Sequence, residues 1–162
     1  MFPQTLLGKA AAALQSAKAA GVRIATADTC TAGLVSGCLT SVPGASQIFE
    51  RGFVLYHDSA KATGLGVSEA VSRAHGAVSA QVTQGLAEGA LVNSGAGVAV
   101  AVTGYAGPGG GNEKNPVGTC YIAAAAKCKP TLVERHVFPG DRDAVRLAAV
   151  GAALDLIVRR LA

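Results

Sequence analysis

The chain has 162 residues, half of them hydrophobic and only 4% aromatic, with a formal net charge of +4. That length suits one domain, read as residues 1–162, large enough to bury a real core. Gly, Thr or Ser interrupts every long apolar run, which argues against a membrane span, and the basic residues are scattered without interleaved aromatics, which argues against a nucleic-acid surface. Four cysteines, Cys30, Cys38, Cys120 and Cys128, make no CxxC pair and no ligand spacing with His57, His75 or His136. No metal site is expected from that spacing, and reduced thiols in a reducing compartment are the default. The N-terminal stretch carries Lys9 and Lys18 at helical intervals and no signal layout, so the expectation is a soluble cytoplasmic protein.

Residues 4–20 predict a first helix with Leu6, Leu7, Ala10, Leu14 and Ala17 on one face and Gly21 as its stop. A short buried strand follows at 22–27, then a helix at 31–42 ended by "VPG". The strand "RGFVLYH" at 51–57 leads into a short helix around "DSAKATG". Ser79 caps a predicted helix reaching about Val92. The β-branched run "GVAVAVTG" reads as an interior strand, and a glycine loop follows at 104–111. "VGTCYIAAAA" and "TLVERHVFP" read as consecutive strands, and Asp141 caps a last helix through about Arg160. Helices and strands alternate early and a strand pair comes late, so the fold class is α/β with a mixed, mostly parallel sheet flanked by helices.

Ligands of open α/β sheets gather beyond the carboxyl ends of strands. Three such junctions hold unusual residues: "DTCTAG" at 28–33, "YHDSAK" at 56–61 and "TGYAGPGGG" at 103–111. The last places five glycines within eight residues. It reads either as a flexible turn or as a nest of backbone N–H groups for a phosphate or carboxylate, with Thr103 adding a hydroxyl. It matches neither a Walker loop nor GxGxxG. Lys61 is either a solvated charge or, if turned into a cleft, a base able to take a proton from a hydroxyl. Tyr56 either packs in the core or contacts substrate. Cys30 is a small buried residue or a thiolate at a helix start. Arg142 and Arg146, one helical turn apart, either clamp an anion or form surface ion pairs beside Asp141 and Asp143.

Taken together, "TADTCTAGL", "VPGASQIFERGFVLYHDSAK", "TGYAGPGGG", "PVGT" and "FPGDRDAVR" resemble, in order and spacing, the CinA C-terminal domain family, the bacterial nicotinamide mononucleotide deamidases. The resemblance runs from about residue 5 to the C-terminus. It implies an α/β fold and a cofactor-free, metal-free amidohydrolase that converts nicotinamide mononucleotide to nicotinate mononucleotide and ammonia. It also implies a homo-oligomer whose partner is that small nucleotide, and a domain standing without the nucleotide-pyrophosphatase domain often fused upstream. The family's serine/lysine pair falls on Thr29 and Lys61, and its tyrosine on Tyr56. Cys30 and Thr31 fall at the helix start whose amides would hold an oxyanion. Gly44 and Ser46 of the "VPGAS" segment, the loop glycines Gly104, Gly107, Gly109 and Gly110, Thr103 and Arg142 fall on the remaining substrate-binding positions.

The chain departs from the family pattern in having Thr29 for serine, Asp28 for glutamate, Ala32 for glycine, and Asn115 before Pro116 where the family places lysine. An alternative reading is therefore a binding module that has kept the pocket and lost the chemistry, or one in which Ser46 is the nucleophile. A link to competence or DNA damage rests on the family's historical name alone.

Overall fold

The computed structural model describes residues 1–162. Its elements run α1 (Gln4–Ala19), β1 (Ile24–Asp28), α2 (Leu34–Thr40), a short 3-10 helix (Ala45–Gln47), β2 (Phe49–Val54), α3 (Asp58–Leu65), α4 (Glu69–His75), α5 (Ala80–Val92), β3 (Val98–Gly104), β4 (Thr119–Ala126), β5 (Lys129–Val137) and α6 (Arg142–Leu161). The five strands form one sheet in the order β2-β1-β3-β4-β5. The β1–β2 and β1–β3 pairings are parallel, and the β3–β4 and β4–β5 pairings antiparallel. Only β4 therefore runs against the rest, which is the mixed, mostly parallel sheet that the sequence predicts.

Side-chain alternation sorts the sheet into two unlike faces. Ile24, Val98, Val100, Val102 and Ile122 point to the side of α1, α2 and α6, where Leu6, Leu14, Leu39, Leu154, Leu156 and Ile157 complete the larger core. Ala25, Ala27, Ala99, Ala101, Ala123 and Ala125 point to the other side and meet Leu65, Val82, Leu86 and Ala90. Alanine on that face lets α5 approach closely, and small residues on the helix match it. A Cβ on Gly89 of α5 would stand 2.4 Å from the Leu65 carbonyl oxygen. Full burial of each large aliphatic side chain on the opposite face contributes about 2 kcal/mol, so the α1/α6 side carries most of the apolar stabilisation.

The caps that the sequence predicts are made. The Ser79 hydroxyl accepts from the Val82 amide at 3.3 Å, and the Asp141 carboxylate accepts from the Ala144 amide at 2.9 Å. Two elements differ from expectation. The helix predicted at 31–42 starts only at Leu34, because residues 29–33 wrap around Asp28. The segment 69–75, left unassigned by periodicity, forms the two-turn helix α4 with no buried residue. No helix is long and apolar enough to cross a membrane.

Candidate active site

The carboxyl ends of β1, β2 and β3, the start of β4 and the end of β5 share one edge of the sheet. Here lies a cleft of about 250 Å³ lined by Thr29, Cys30, Tyr56, Asp58, Lys61, Ala77, Val78, Gly104, Tyr105, Ala106, Gly107, Gly109 and Arg142. All three junctions singled out in the sequence contribute to it.

The first wall is the loop after β1. Asp28 ends the strand 1% exposed, and burying a carboxylate is costly unless it is hydrogen-bonded. The loop supplies those bonds itself. Asp28 Oδ1 accepts from the amides of Thr31 (2.8 Å) and Ala32 (3.1 Å), and Oδ2 accepts from the Gly33 amide (3.0 Å) and the Thr31 hydroxyl. The turn is tight enough to put two successive residues in the left-handed region, Ala32 at φ 53 and Gly33 at φ 97. The Thr29 amide goes to the Val102 carbonyl at 3.1 Å. Among residues 29–33 only the Cys30 amide has no protein acceptor. The oxyanion site expected from Cys30 and Thr31 thus narrows to Cys30, since the Thr31 amide is spent on Asp28.

The second wall is the glycine loop. Tyr105 is tied at both backbone groups, its amide to the Thr119 carbonyl and its carbonyl to the Gly118 amide. Beyond it the amides of Ala106, Gly107, Gly109, Gly110 and Gly111 make no hydrogen bond to protein. Free amides in such a loop are donors of the kind that can hold an anion. Arg142, the first residue of α6, leans over them. Its Nη1 donates to the Gly107 carbonyl at 2.7 Å and its Nη2 to the Tyr56 hydroxyl at 3.4 Å. Asn115, where the family pattern has lysine, is buried and structural. Its Nδ2 donates to the Val78 carbonyl, and its Oδ1 accepts from the Tyr121 hydroxyl and from Arg135.

The third wall comes from β2 and α3. Lys61 is 4% exposed, so it is no solvated surface charge. Its Nζ donates to Asp58 Oδ1 at 2.8 Å, one turn earlier on the same helix. Tyr56 stands at the rim, 68% exposed, rather than in the core. His57 caps α3 through Nδ1, which accepts from the Ser59 amide at 3.3 Å.

At the floor, the Cys30 and Cys120 sulfurs both border the space over Gly104. The contact with Cys120 holds the Cys30 thiol below its ordinary range, helped by Arg146 and Arg142 and opposed by burial and the Asp28 charge. Cys120 is pushed upward by the same contact and by burial.

Of the residues singled out in the sequence, Thr29, Cys30, Tyr56, Lys61, Gly104, Gly107, Gly109 and Arg142 come together around the cleft. Thr31 is fully buried beneath it. Thr103 points to the opposite face of the sheet, where its hydroxyl meets that of Thr83 at 2.8 Å. Gly110 sits behind the lining, packed on the Tyr105 ring. Gly44 and Ser46 lie at the other end of the sheet, in the turn and 3-10 helix before β2, where the Ile48 carbonyl accepts from the Ile24 amide. Arg146 does not join Arg142; its Nη2 donates to the Thr31 carbonyl at 3.0 Å and braces the Asp28 loop.

Asp58, Ala77 and Val78 line the cleft without having been picked out. Asp58 carried a signal in its i,i+3 spacing from Lys61 on a helix. The 77–78 loop carried none. Nowhere in the chain do three or more His, Cys, Asp or Glu side chains group as a metal site.

A three-layer α/β sandwich with a polar cleft at the carboxyl edge of its sheet, walled by a hydroxyl-bearing loop, a buried lysine and a glycine loop, has its cleft where open α/β folds place a ligand. Residues 7–161 match the model of the CinA C-terminal domain, and the chain belongs to that family. It is 45% identical over 143 residues to the nicotinamide-nucleotide amidohydrolase PncC of Escherichia coli K12, covering 88% of this chain and 87% of that protein. It is also 42% identical over 152 residues to a CinA-like protein of Myxococcus xanthus, covering 94% of this chain but only 36% of the relative. The chain spans about a third of the length of such relatives. Among solved structures, the competence/damage inducible protein CihA from Agrobacterium tumefaciens superposes with a TM-score of 0.95 at 38% identity, covering 98% of this chain and 97% of that one.

Proposed function

We propose that the chain is an amidohydrolase that deamidates nicotinamide mononucleotide to nicotinate mononucleotide through the Thr29 hydroxyl and Lys61. The observation that carries this reading is the convergence, on one cleft, of a buried lysine, a hydroxyl beside an unpartnered amide, and a nest of free amides under an arginine. Amide hydrolysis needs the lysine, the hydroxyl and the lone amide, and a mononucleotide phosphate needs the free amides and the arginine. The relative named nicotinamide-nucleotide amidohydrolase supports the substrate.

In the proposed reaction the Thr29 hydroxyl turns from the Val102 carbonyl, to which it donates at 3.0 Å, toward Lys61 Nζ. Lys61, acting in its neutral form, takes its proton, the oxygen attacks the carboxamide carbon, and the negative oxygen settles on the Cys30 amide, a contact worth about 3 kcal/mol in comparable sites. Lys61 returns the proton to the departing ammonia, and water then resolves the ester. Asp58 holds Lys61 Nζ in place between turnovers. The phosphate lies on the glycine-loop amides and Arg142.

One observation favours the second reading, a binding module without turnover. Thr29 carries a methyl beside its hydroxyl, which stiffens χ1, and that hydroxyl is bonded to a backbone carbonyl rather than to Lys61. Ammonia release from nicotinamide mononucleotide decides between them. Wild type is expected to release it, Thr29→Ser to match or exceed wild type, and Lys61→Met and Thr29→Ala to lose at least about a hundredfold. Mononucleotide binding without any ammonia in wild type or Thr29→Ser selects the binding module; full activity in Thr29→Ala removes Thr29 as the nucleophile.

A further inference from the structure

Two thiols at the floor of the cleft take no part in the reaction just described, yet they are placed side by side. Cys30 is 5% exposed and lines the cleft, while Cys120 at the start of β4 is fully buried behind it. Gly104 is the register partner of Cys120. A Cβ on Gly104 would stand 2.6 Å from Cys120 Sγ and 3.0 Å from Cys30 Sγ. Any other residue there would collide with the Cys120 sulfur and crowd that of Cys30, so the glycine leaves the space that the sulfurs share. The other two cysteines are unlike this pair. Cys38 packs under α1, its thiol donating to the Leu6 carbonyl at 3.7 Å, and Cys128 is exposed in the turn between β4 and β5, at the far end of the sheet.

We propose that Cys30 and Cys120 are a covalent modification site, converted by hydrogen peroxide to an intramolecular disulfide that shuts the cleft and restored by a dithiol reductant. Cys30 is the sulfur that faces solvent through the cleft, and its thiolate is favoured by Cys120, Arg146 and Arg142. It attacks the peroxide. An S–O bond forms, the O–O bond breaks, and one water leaves, so that Cys30 becomes a sulfenic acid. The Cys120 sulfur then attacks Cys30. The S–S bond forms, the S–O bond breaks, and hydroxide leaves with the Cys120 proton as a second water. In total the two thiols give up two electrons and two protons, and the peroxide is reduced to two waters.

A disulfide fixes the sulfurs about 2.05 Å apart, whereas both thiols are free in the structure. Cys30 must move toward β4 to reach that distance, and the Cys30 amide and the adjacent Thr29 move with it. Displacements of this size at reacting groups cost about a hundredfold in rate. The loss of turnover rests on the amidohydrolase reading, whereas the disulfide itself does not.

The test uses Cys128→Ser protein, whose exposed thiol cannot cross-link copies. It is treated with a few equivalents of hydrogen peroxide, alkylated and mapped without reduction by mass spectrometry. A peptide joining Cys30 to Cys120 is expected, two hydrogens lighter than the sum of its parts. Ammonia release should fall at least tenfold, and dithiothreitol should reverse both changes. In Cys120→Val, which suits a buried strand position, Cys30 should be trapped by dimedone as the sulfenic acid and no linked peptide should form. Absence of the Cys30–Cys120 peptide from oxidised protein overturns the proposal, and a linked protein with undiminished ammonia release overturns the closure of the cleft. If reduced protein releases no ammonia, the hydrolase reading has failed by itself and the peptide map still decides the disulfide.

Discussion

Two loops face each other across the cleft, and they use their backbone amides in opposite ways. Residues 31–33 fold their N–H groups around the chain's own carboxylate, Asp28, and Thr29 gives its amide to Val102, leaving only the Cys30 amide free. Residues 106–111 carry no such internal anion, and the glycine amides there stay open. Helix α6 sends one arginine to each: Arg146 to the Thr31 carbonyl of the first loop, Arg142 to the Gly107 carbonyl of the second. One loop is thus a closed nest that holds a shape, and the other leaves its amides open. Equal numbers of backbone donors do not make equal sites; what matters is whether the fold has already supplied the anion.

Removing the internal anion tests the contrast most severely. Asp28→Ala leaves three amides and a hydroxyl without acceptors in a buried place, where each unpaired group costs about 1–3 kcal/mol. Urea unfolding is expected to show at least about 3 kcal/mol of destabilisation. A loss under about 1 kcal/mol would mean that the loop does not depend on its carboxylate.

Arg142→Ala should act on the other loop and in the other readout. Calorimetric affinity for nicotinamide mononucleotide is expected to weaken about tenfold to a hundredfold, the worth of a charge-assisted contact to phosphate, with the unfolding midpoint little changed. Free nicotinamide, which lacks the phosphate, should bind equally to variant and wild type. Parallel losses for both ligands would take the phosphate away from Arg142.

The smallest effect has the opposite sign. Ala32 sits at φ 53, which costs an L-residue about 1 kcal/mol that glycine does not incur. Ala32→Gly is therefore expected to stabilise the protein by about 0.5–1 kcal/mol in urea melts, without altering mononucleotide affinity. Unchanged or reduced stability would show that the left-handed turn around Asp28 is not strained.

Much of the frame is legible in the chain. "GVAVAVTG" alternates valine and alanine, and the structure uses that alternation to build a branched face against α6 and a flat face against α5. Ser79 and Asp141 are caps in the structure as in the sequence, because capping is settled within three residues. Lys61, Tyr56 and the glycine loop could be picked out by their position after strands. Arg142 and Arg146 could not be told apart, since equal spacing on a helix says nothing of which loop each meets.

What the sequence alone determined is local or periodic: the α/β class, the order of elements, the caps, and the three junctions where ligands gather. The family resemblance added the expected chemistry. Only the tertiary structure decided that Lys61 is buried against Asp58, that Thr103 turns away to Thr83, and that Ser46 lies at the opposite edge of the sheet. It also decided that Cys120, ninety residues from Cys30, shares a space with it over Gly104. Pairings of that kind depend on strand order and register, which are set by how whole faces pack against one another; no window of neighbouring residues contains them.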